Sequence, residues 1–361
     1  MTMKYAFTNG KILDGSRDMQ VQTGRCILVK NGKIHDIVSD TTDLSGYTKI
    51  DLKGHYILPG LINMHVHLAG SGKPQKKQRD NEKLVNTIMS TSLTRAIAYR
   101  MVADFAKDEL LSGVTTIRTV GGLGDFDTRL RDEIKAGSKI GPRILASNQG
   151  ISVPGGHMAG SVAVAASSIP DALSHLKKSE QQKVDLIKLM ITGGVLDAKE
   201  KGVPGELKMP PEMVRAVCEK AHADGYLVAA HVESPEGVRV ALENGVDSIE
   251  HGAKLTDEMV KLFKERGAFL CTTISPALPY ALFDRSITNA TKRSAELTDI
   301  DSITGSIEKG KAADLIVTAQ NPLKDLKALR NLEMVISGGR FIEHPKIKKR
   351  KQVEAELDKF L

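Results

Sequence analysis

From residue 57 to residue 274, short apolar runs alternate seven times with helical stretches. Alternation on this scale is the signature of βα units, in which each crossover carries a helix and the strands run parallel. The strands are expected at 57–67, 114–120, 143–148, 185–192, 227–232, 247–251 and 268–274, separated by helical stretches such as 96–111, 211–224 and 234–244. Gly113, Gly225, Gly245 and Gly267 stand where a left-handed helix cap belongs. Seven consecutive units favour an α/β fold of the (β/α)8 TIM-type barrel kind over an open doubly wound sheet, with the eighth unit not found in the chain.

The two ends of the chain read differently. Asn9-Gly10 and Asn31-Gly32 each precede an apolar run. Asn-Gly at such a place predicts a hairpin, because a type I′ turn needs two residues at positive φ. A third strand-turn-strand piece occupies 334–342. Small strands at both ends predict a β-sandwich built from both termini. The expected division is 1–57 and 305–345 for the sandwich, 58–304 for the barrel and 346–361 for a basic C-terminal helix. In that tail Val353, Leu357 and Leu361 recur every four residues behind Lys348-Lys349-Arg350-Lys351.

The chemistry gathers at strand ends. His65 and His67 close the first strand, and residues two apart in a strand point to the same face. Two imidazoles so placed can hold one metal ion at about 2.0–2.1 Å. Lys188 lies inside the apolar run Leu186-Ile187-Lys188-Leu189-Met190, His231 ends Val228-Ala229-Ala230, and His251 ends Ser248-Ile249-Glu250. In a βα barrel all C-terminal strand ends face one mouth. Four histidines and a lysine therefore converge, whereas His35, His55, His175, His222 and His344 read as ordinary core or loop residues. A lysine in an apolar strand snorkels, pairs with a buried acid, or loses its charge. A neutral amine can add carbon dioxide and become a carbamate able to bridge two cations.

These residues resemble the amidohydrolase superfamily, in its Xaa-Pro dipeptidase-like and imidazolonepropionase-like branch. The likeness is carried by Ile57-Leu58-Pro59-Gly60-Leu61-Ile62-Asn63-Met64-His65-Val66-His67, Ile187-Lys188-Leu189-Met190-Ile191-Thr192-Gly193-Gly194, Ala230-His231 and Ile249-Glu250-His251-Gly252. It ends with Gly305-Ser306-Ile307-Glu308-Lys309-Gly310-Lys311-Ala312-Ala313-Asp314-Leu315. The resemblance implies that His65 and His67 bind the more buried of two divalent ions, zinc being the expected metal. His231 and His251 would bind the more exposed ion, and a carboxylated Lys188 would bridge the two. His157, in Val153-Pro154-Gly155-Gly156-His157, resembles the family's Pro-Gly-Gly-His loop and is assigned to substrate polarisation or binding.

One family feature is missing. The aspartate that ends strand eight, a ligand and proton shuttle usually found in a Gly-Thr-Asp-like motif, has no counterpart. Asp284, Asp299 and Asp301 sit in turn-like sequence and are not promoted to that role. Residues 287–297 resemble the helix that follows strand eight, which leaves no room for a βα unit of roughly 30 residues. Either the sequence joins residues across an omitted stretch near Ala290-Thr291, or the segment is truly lacking. An open seven-stranded barrel would expose two strand edges, which favours the join.

The leading expectation is a binuclear metal-dependent hydrolase of amide C–N bonds, an Xaa-Pro dipeptidase in type, acting through a metal-bridging hydroxide. The alternatives are a cyclic amidohydrolase or deaminase of a small heterocycle, and an inactive relative serving as an assembly subunit. The segment 69–94 reads as a lid, in which Lys73, Lys76 and Lys77 read first as a solvated face and second as receivers of a substrate carboxylate. Gly121-Gly122-Leu123-Gly124 reads as a flexible turn after strand two. A net charge of +7 invites a nucleic-acid partner, but the absence of tryptophan and an aromatic content of 4% supply no stacking platform. No apolar run reaches the roughly 18 residues of a membrane span. Three dispersed cysteines, Cys26, Cys218 and Cys271, fit a reducing compartment and a cytoplasmic protein. The resemblance to barrel hydrolases with a β module implies a homo-oligomer acting on a small molecule or dipeptide.

Overall fold

A computed structural model of the chain describes residues 3–70, 80–194, 205–273 and 289–348. The N-terminal strands are β1 (Lys4–Thr8), β2 (Lys11–Ile12), β3 (Arg25–Lys30), β4 (Lys33–Ser39), β5 (Thr48–Asp51) and β6 (Tyr56–Pro59). The parallel strands that follow are β7 (Leu61–Val66), β8 (Val114–Thr119), β9 (Arg143–Leu145), β10 (Gly150–Ser152), β11 (Ala163–Ala165), β12 (Ile187–Met190), β13 (Val228–Val232), β14 (Ser248–His251) and β15 (Phe269–Cys271). The C-terminal strands are β16 (Leu315–Thr318), β17 (Leu332–Ser337) and β18 (Arg340–Glu343). Eight α-helices are interspersed among the described residues: α1 (Asn81–Met89), α2 (Ser92–Leu111), α3 (Phe126–Lys135), α4 (Ile169–Gln181), α5 (Pro211–Ala223), α6 (Pro235–Glu243), α7 (Asp257–Arg266) and α8 (Ser294–Leu297), the last continuing a π-helical turn at Asn289–Arg293.

The central strands pair in parallel, as β7-β8-β9 and as β11-β10-β12-β13-β14-β15. Their side chains alternate between two environments. Ile187, Leu189, Val228, Ala230, Val232 and Ile249 pack with α4, α5 and α6 in one core. Fully burying each such aliphatic side chain contributes about 1.5–3 kcal/mol. The other face of these strands carries Lys188, Ala229, His231, Ser248 and Glu250, so the polar residues are collected on the side away from the helices. Gly113, Gly225, Gly245 and Gly267 all take positive φ after their helices, as the sequence leads one to expect.

Three expected elements change shape. The single strand expected over 57–67 is two, because the chain passes at Gly60 from β6, paired with β16, to β7, paired with β8. A Cβ on Gly60 would lie 2.1 Å from Thr115 Oγ1, so only glycine fits the crossing. The strand expected over 143–148 is divided as well. Its first half, β9, pairs with β8 and its continuation, β10, with β12, while Asn148 between them takes φ 54°. Asn148 holds the break, accepting from the Thr128 amide and donating to Gln182.

The third change concerns the turns. Asn31-Gly32 makes the expected hairpin between β3 and β4, with both residues at positive φ, and Gly338-Gly339 does the same between β17 and β18. Asn9-Gly10 does not make one. β1 joins a sheet of order β4-β3-β1-β5, whereas β2 joins another of order β18-β17-β16-β6-β2. That second sheet takes strands from both ends of the chain. Phe7, Ile27, Val29 and Ile34 share one core with Ile57, Leu315, Val317 and Ile336, so the two sheets bury their apolar faces together.

Among the described residues β7 pairs with β8 alone and β15 with β14 alone, so no strand joins the two. Ala295 and Leu297 of α8, with Ile300, pack against Ile62 and Met64 of β7 and against Phe269 and Cys271 of β15. The helix expected after strand eight thus stands beside both edges. Residues 346–348 are not helical, and the rest of the expected C-terminal helix lies outside the described residues. Lys73, Lys76, Lys77 and Asp284 lie outside them too. No helix among the described residues is long and apolar enough to cross a membrane.

Candidate metal centre

His65 and His67 leave β7 with their rings 5.0 Å apart between centroids. The Nδ1 of His65 lies 2.8 Å from Glu250 Oε2, and the Nδ1 of His67 lies 2.9 Å from the Gly121 carbonyl oxygen. A carboxylate and a carbonyl only accept, so both Nδ1 atoms carry the proton and donate it. Each Nε2 is then a bare lone pair, and the two Nε2 atoms face one another at 3.2 Å. Neither ring takes up a proton readily. Burial, opposed in part by the Glu250 hydrogen bond, holds His65 below the usual histidine range, and burial together with neighbouring His65 pushes His67 down to about 3. Two lone pairs in contact call for a cation. A tetrahedral ion with nitrogen ligands at about 2.0–2.1 Å separates them by roughly 3.3 Å, close to the spacing found.

His231 and His251 bring a second pair of rings, 4.7 Å between centroids, and His251 lies 4.8 Å from His65. β13 and β14 are in register with His231 opposite Glu250 and Val232 opposite His251. Strand alternation alone would put His251 on the helix-facing side with Ile249. It does not go there, because His251 takes φ 70°, in the left-handed region that a side chain rarely adopts. Its Nδ1 then meets Thr273 Oγ1 at 2.6 Å. Burial holds both rings neutral, His251 at about 3 and His231 lower still, with His157 and Lys188 adding to the effect on His231. His157, carried after β10, stacks on His231 at 3.9 Å with the planes 10° apart. Gly194 leaves room for both: a Cβ there would lie 2.7 Å from His157 Cε1 and 3.2 Å from His231 Nε2.

Lys188 stands on β12, wholly buried among these rings, and among the described residues its Nζ has no hydrogen-bond partner. Burial lowers its pKa to about 8, Glu250 working against that change and Arg118 with it. A buried amine brought down to that value keeps a substantial neutral fraction near physiological pH, and the neutral form is competent to add carbon dioxide. The four histidines and Lys188 are thus brought together. Asp299 and Asp301 are exposed and stand apart from them. His175 and His222 are engaged elsewhere, with Asp171 and Asp247, and His344 with Glu333.

Sequence reasoning gave no role to the layer beneath. Glu250 is fully buried; its Oε1 accepts from Arg118 at 2.6 Å and from the Ser248 hydroxyl, while Oε2 accepts from His65 Nδ1. Burial works against the charge on Glu250, but Arg118 and His65 outweigh it and hold the carboxyl below the usual carboxylate range. Arg118 also donates to the Met64 carbonyl at 2.7 Å, fastening β8 to β7 just before His65. The available signal was a charged residue within the β-branched strand sequence Val114-Thr115-Thr116-Ile117-Arg118-Thr119-Val120, a weaker form of the anomaly that singled out Lys188. The turn at Gly121 is likewise more than a flexible connection, since its carbonyl orients His67.

Residues 56–280, more than half the chain, match the model of the Amidohydrolase family. The chain belongs to the amidohydrolase family. A solved Xaa-Pro dipeptidase with methionine bound in its active site is 27% identical, with a TM-score of 0.79 over 94% of this chain and 100% of that one. Ochratoxinase of Aspergillus niger is 23% identical over 276 residues, 69% of this chain. The chain spans 55% of ochratoxinase's length, about half. Imidazolonepropionase of Klebsiella pneumoniae is 35% identical over 112 residues, 27% of each chain. The resemblance read from the motifs, to the dipeptidase-like and imidazolonepropionase-like amidohydrolases, is therefore borne out. Amidohydrolases generally use divalent metals, and the neutral imidazoles gathered in this centre are donors of the right kind.

Proposed function

We propose that this amidohydrolase is a binuclear metal-dependent hydrolase of amide C–N bonds, with Xaa-Pro dipeptides as its substrate class. The observation that carries the reading is the 3.2 Å contact between the bare Nε2 atoms of His65 and His67, whose protons are committed to Glu250 and Gly121. His65 and His67 would hold one ion, His231 and His251 the other, and a carbamate on Lys188 would join them. Two bound divalent ions supply a hydrolytic nucleophile at neutral pH and polarise the carbonyl under attack.

The protein's own part is positioning and exclusion of charge. Glu250 and Gly121 fix the tautomers and ring planes of His65 and His67, the kind of outer contact that raises ligand basicity. The stacked His157 presents a ring nitrogen beside His231, where it would receive the substrate carbonyl oxygen. The likeness to imidazolonepropionase favours a second reading, hydrolysis of a small cyclic amide. For the chain as a whole we propose a hydrolase unit over 58–304 flanked by a two-sheet module from 1–57 and 305–345, working as a homo-oligomer.

The test is metal analysis with a substrate panel. Two divalent ions per chain are expected, with cleavage of Xaa-Pro dipeptides that a chelator abolishes and added zinc restores. A fully loaded chain that cleaves neither dipeptides nor cyclic amides would sink the proposal.

A further inference from the structure

Glu233 lies two residues beyond His231, on the same face of the chain, and its carboxylate oxygen, a ring nitrogen of His231 and one of His251 all lie within 4.8 Å of one another. We infer that Glu233 is a third protein ligand of the more exposed metal ion, an assignment that rests on the two-metal reading above.

The backbone around Glu233 is held from several sides. Its amide donates to Thr192 Oγ1 at 3.0 Å. Its carbonyl is so closely covered by Gly205 that a Cβ there would lie 2.4 Å from the oxygen. Ser234, next in the chain, caps α6 by accepting from the Gly237 amide. A side chain rooted in so fixed a backbone keeps its aim, which is what a metal ligand requires.

A second trio of candidate donors, His65, Glu250 and Cys271, is equally compact but differs in its chemistry. Both oxygens of Glu250 are spent, one on Arg118 and Ser248 and the other on the Nδ1 proton of His65. That trio is an ion-paired support behind His65. In the trio of His231, Glu233 and His251, the carboxylate and one of the two rings are part-exposed, as the outer ion's ligands should be.

Chemistry explains why a carboxylate is needed there. Two histidines and a shared carbamate leave the outer ion short of anionic ligands, whereas two histidines with a carboxylate are an established donor set of catalytic zinc sites that keeps one position open. The family's strand-eight aspartate has no motif in this sequence.

The experiment is Co(II) titration of the metal-free full chain, followed by visible absorption and calorimetry, for wild type, Glu233→Gln and Glu233→Ala. Thermal melts establish that each variant is folded, and if one is not, the other carries the measurement. Wild type is expected to bind two ions. Each folded variant is expected to keep one and to bind the second more than about 100-fold more weakly, since even outer contacts to a ligand cost 10–100-fold. Unchanged affinity and spectrum for the second ion in the variants overturn the assignment and leave the two-metal reading standing. Wild type that binds fewer than two ions overturns both.

Discussion

Arg118 and Glu250 meet at 2.6 Å in the interior, with side chains 5% and 0% exposed. The pair ties β8 to β14 and, through Glu250 Oε2, sets the tautomer of His65. Breaking a buried pair from one side strands the other charge and costs about 3–5 kcal/mol. Arg118→Met is therefore expected to lose about that much unfolding free energy in urea. The double variant Arg118→Met/Glu250→Gln should recover part of it, since the stranded carboxylate is removed, and only part, since buried Lys188 loses the carboxylate that favours its charge. A single variant as stable as wild type would show that Glu250 does not depend on Arg118 for its charge.

Asp127, in the first turn of α3, is fully buried, and burial raises its pKa to about 6 although Thr119 donates to it and acts the other way. A helix N-terminus favours a carboxylate by about 0.3–1 kcal/mol, too little to offset full burial. The folded protein thus prefers the protonated acid. Its contribution to stability is complete below the ordinary value of 3.8 and is lost as pH rises through about 6. Above that, two units of displacement cost roughly 3 kcal/mol. Asp127→Asn should raise stability at pH 7.5 by a few kcal/mol on that scale, and should differ little from wild type at pH 4. Urea titrations at the two pH values decide it, and equal effects at both would refute the burial argument.

Lys188 Nζ, buried and without a hydrogen-bond partner among the described residues, gives the carbamate a direct test. Metal-free protein reloaded in buffer stripped of carbon dioxide should take up less than half the metal that it takes up with bicarbonate present. Lys188→Met should load poorly and ignore bicarbonate. Metal analysis after desalting is the readout, and a wild-type chain indifferent to bicarbonate would remove the carbamate from the site.

What could be read from the sequence follows from the range of the interactions involved. His65, His67, His231 and Lys188 could be placed because strand period and strand ends are local properties. His251 reached the same site by a backbone turn at φ 70° that period does not foretell. Asn31-Gly32 and Asn9-Gly10 carry identical local signals, and only the distant partners of β1 and β2 distinguish a hairpin from a crossing between sheets. The break at Gly60 is hidden in a continuous apolar run, and its cause, Thr115, is 55 residues away. Arg118 and Glu250 are 132 residues apart, so their pairing needs the fold before it can be seen.

His157 separates packing from chemistry. Its ring lies on His231 at 3.9 Å, an arrangement that phenylalanine can keep while removing both nitrogens. If His157 receives the substrate carbonyl oxygen, His157→Phe should hold its metal and its melting temperature while kcat falls by about 10²–10³, the usual effect of losing one donor to a developing oxyanion. KM should change far less. A variant with normal kcat would make His157 a packing residue for His231 and nothing more. One that loses metal as well would make the stacked ring a support of the outer ligand. Steady-state kinetics on an Xaa-Pro dipeptide, paired with metal analysis of the same preparation, distinguishes the three.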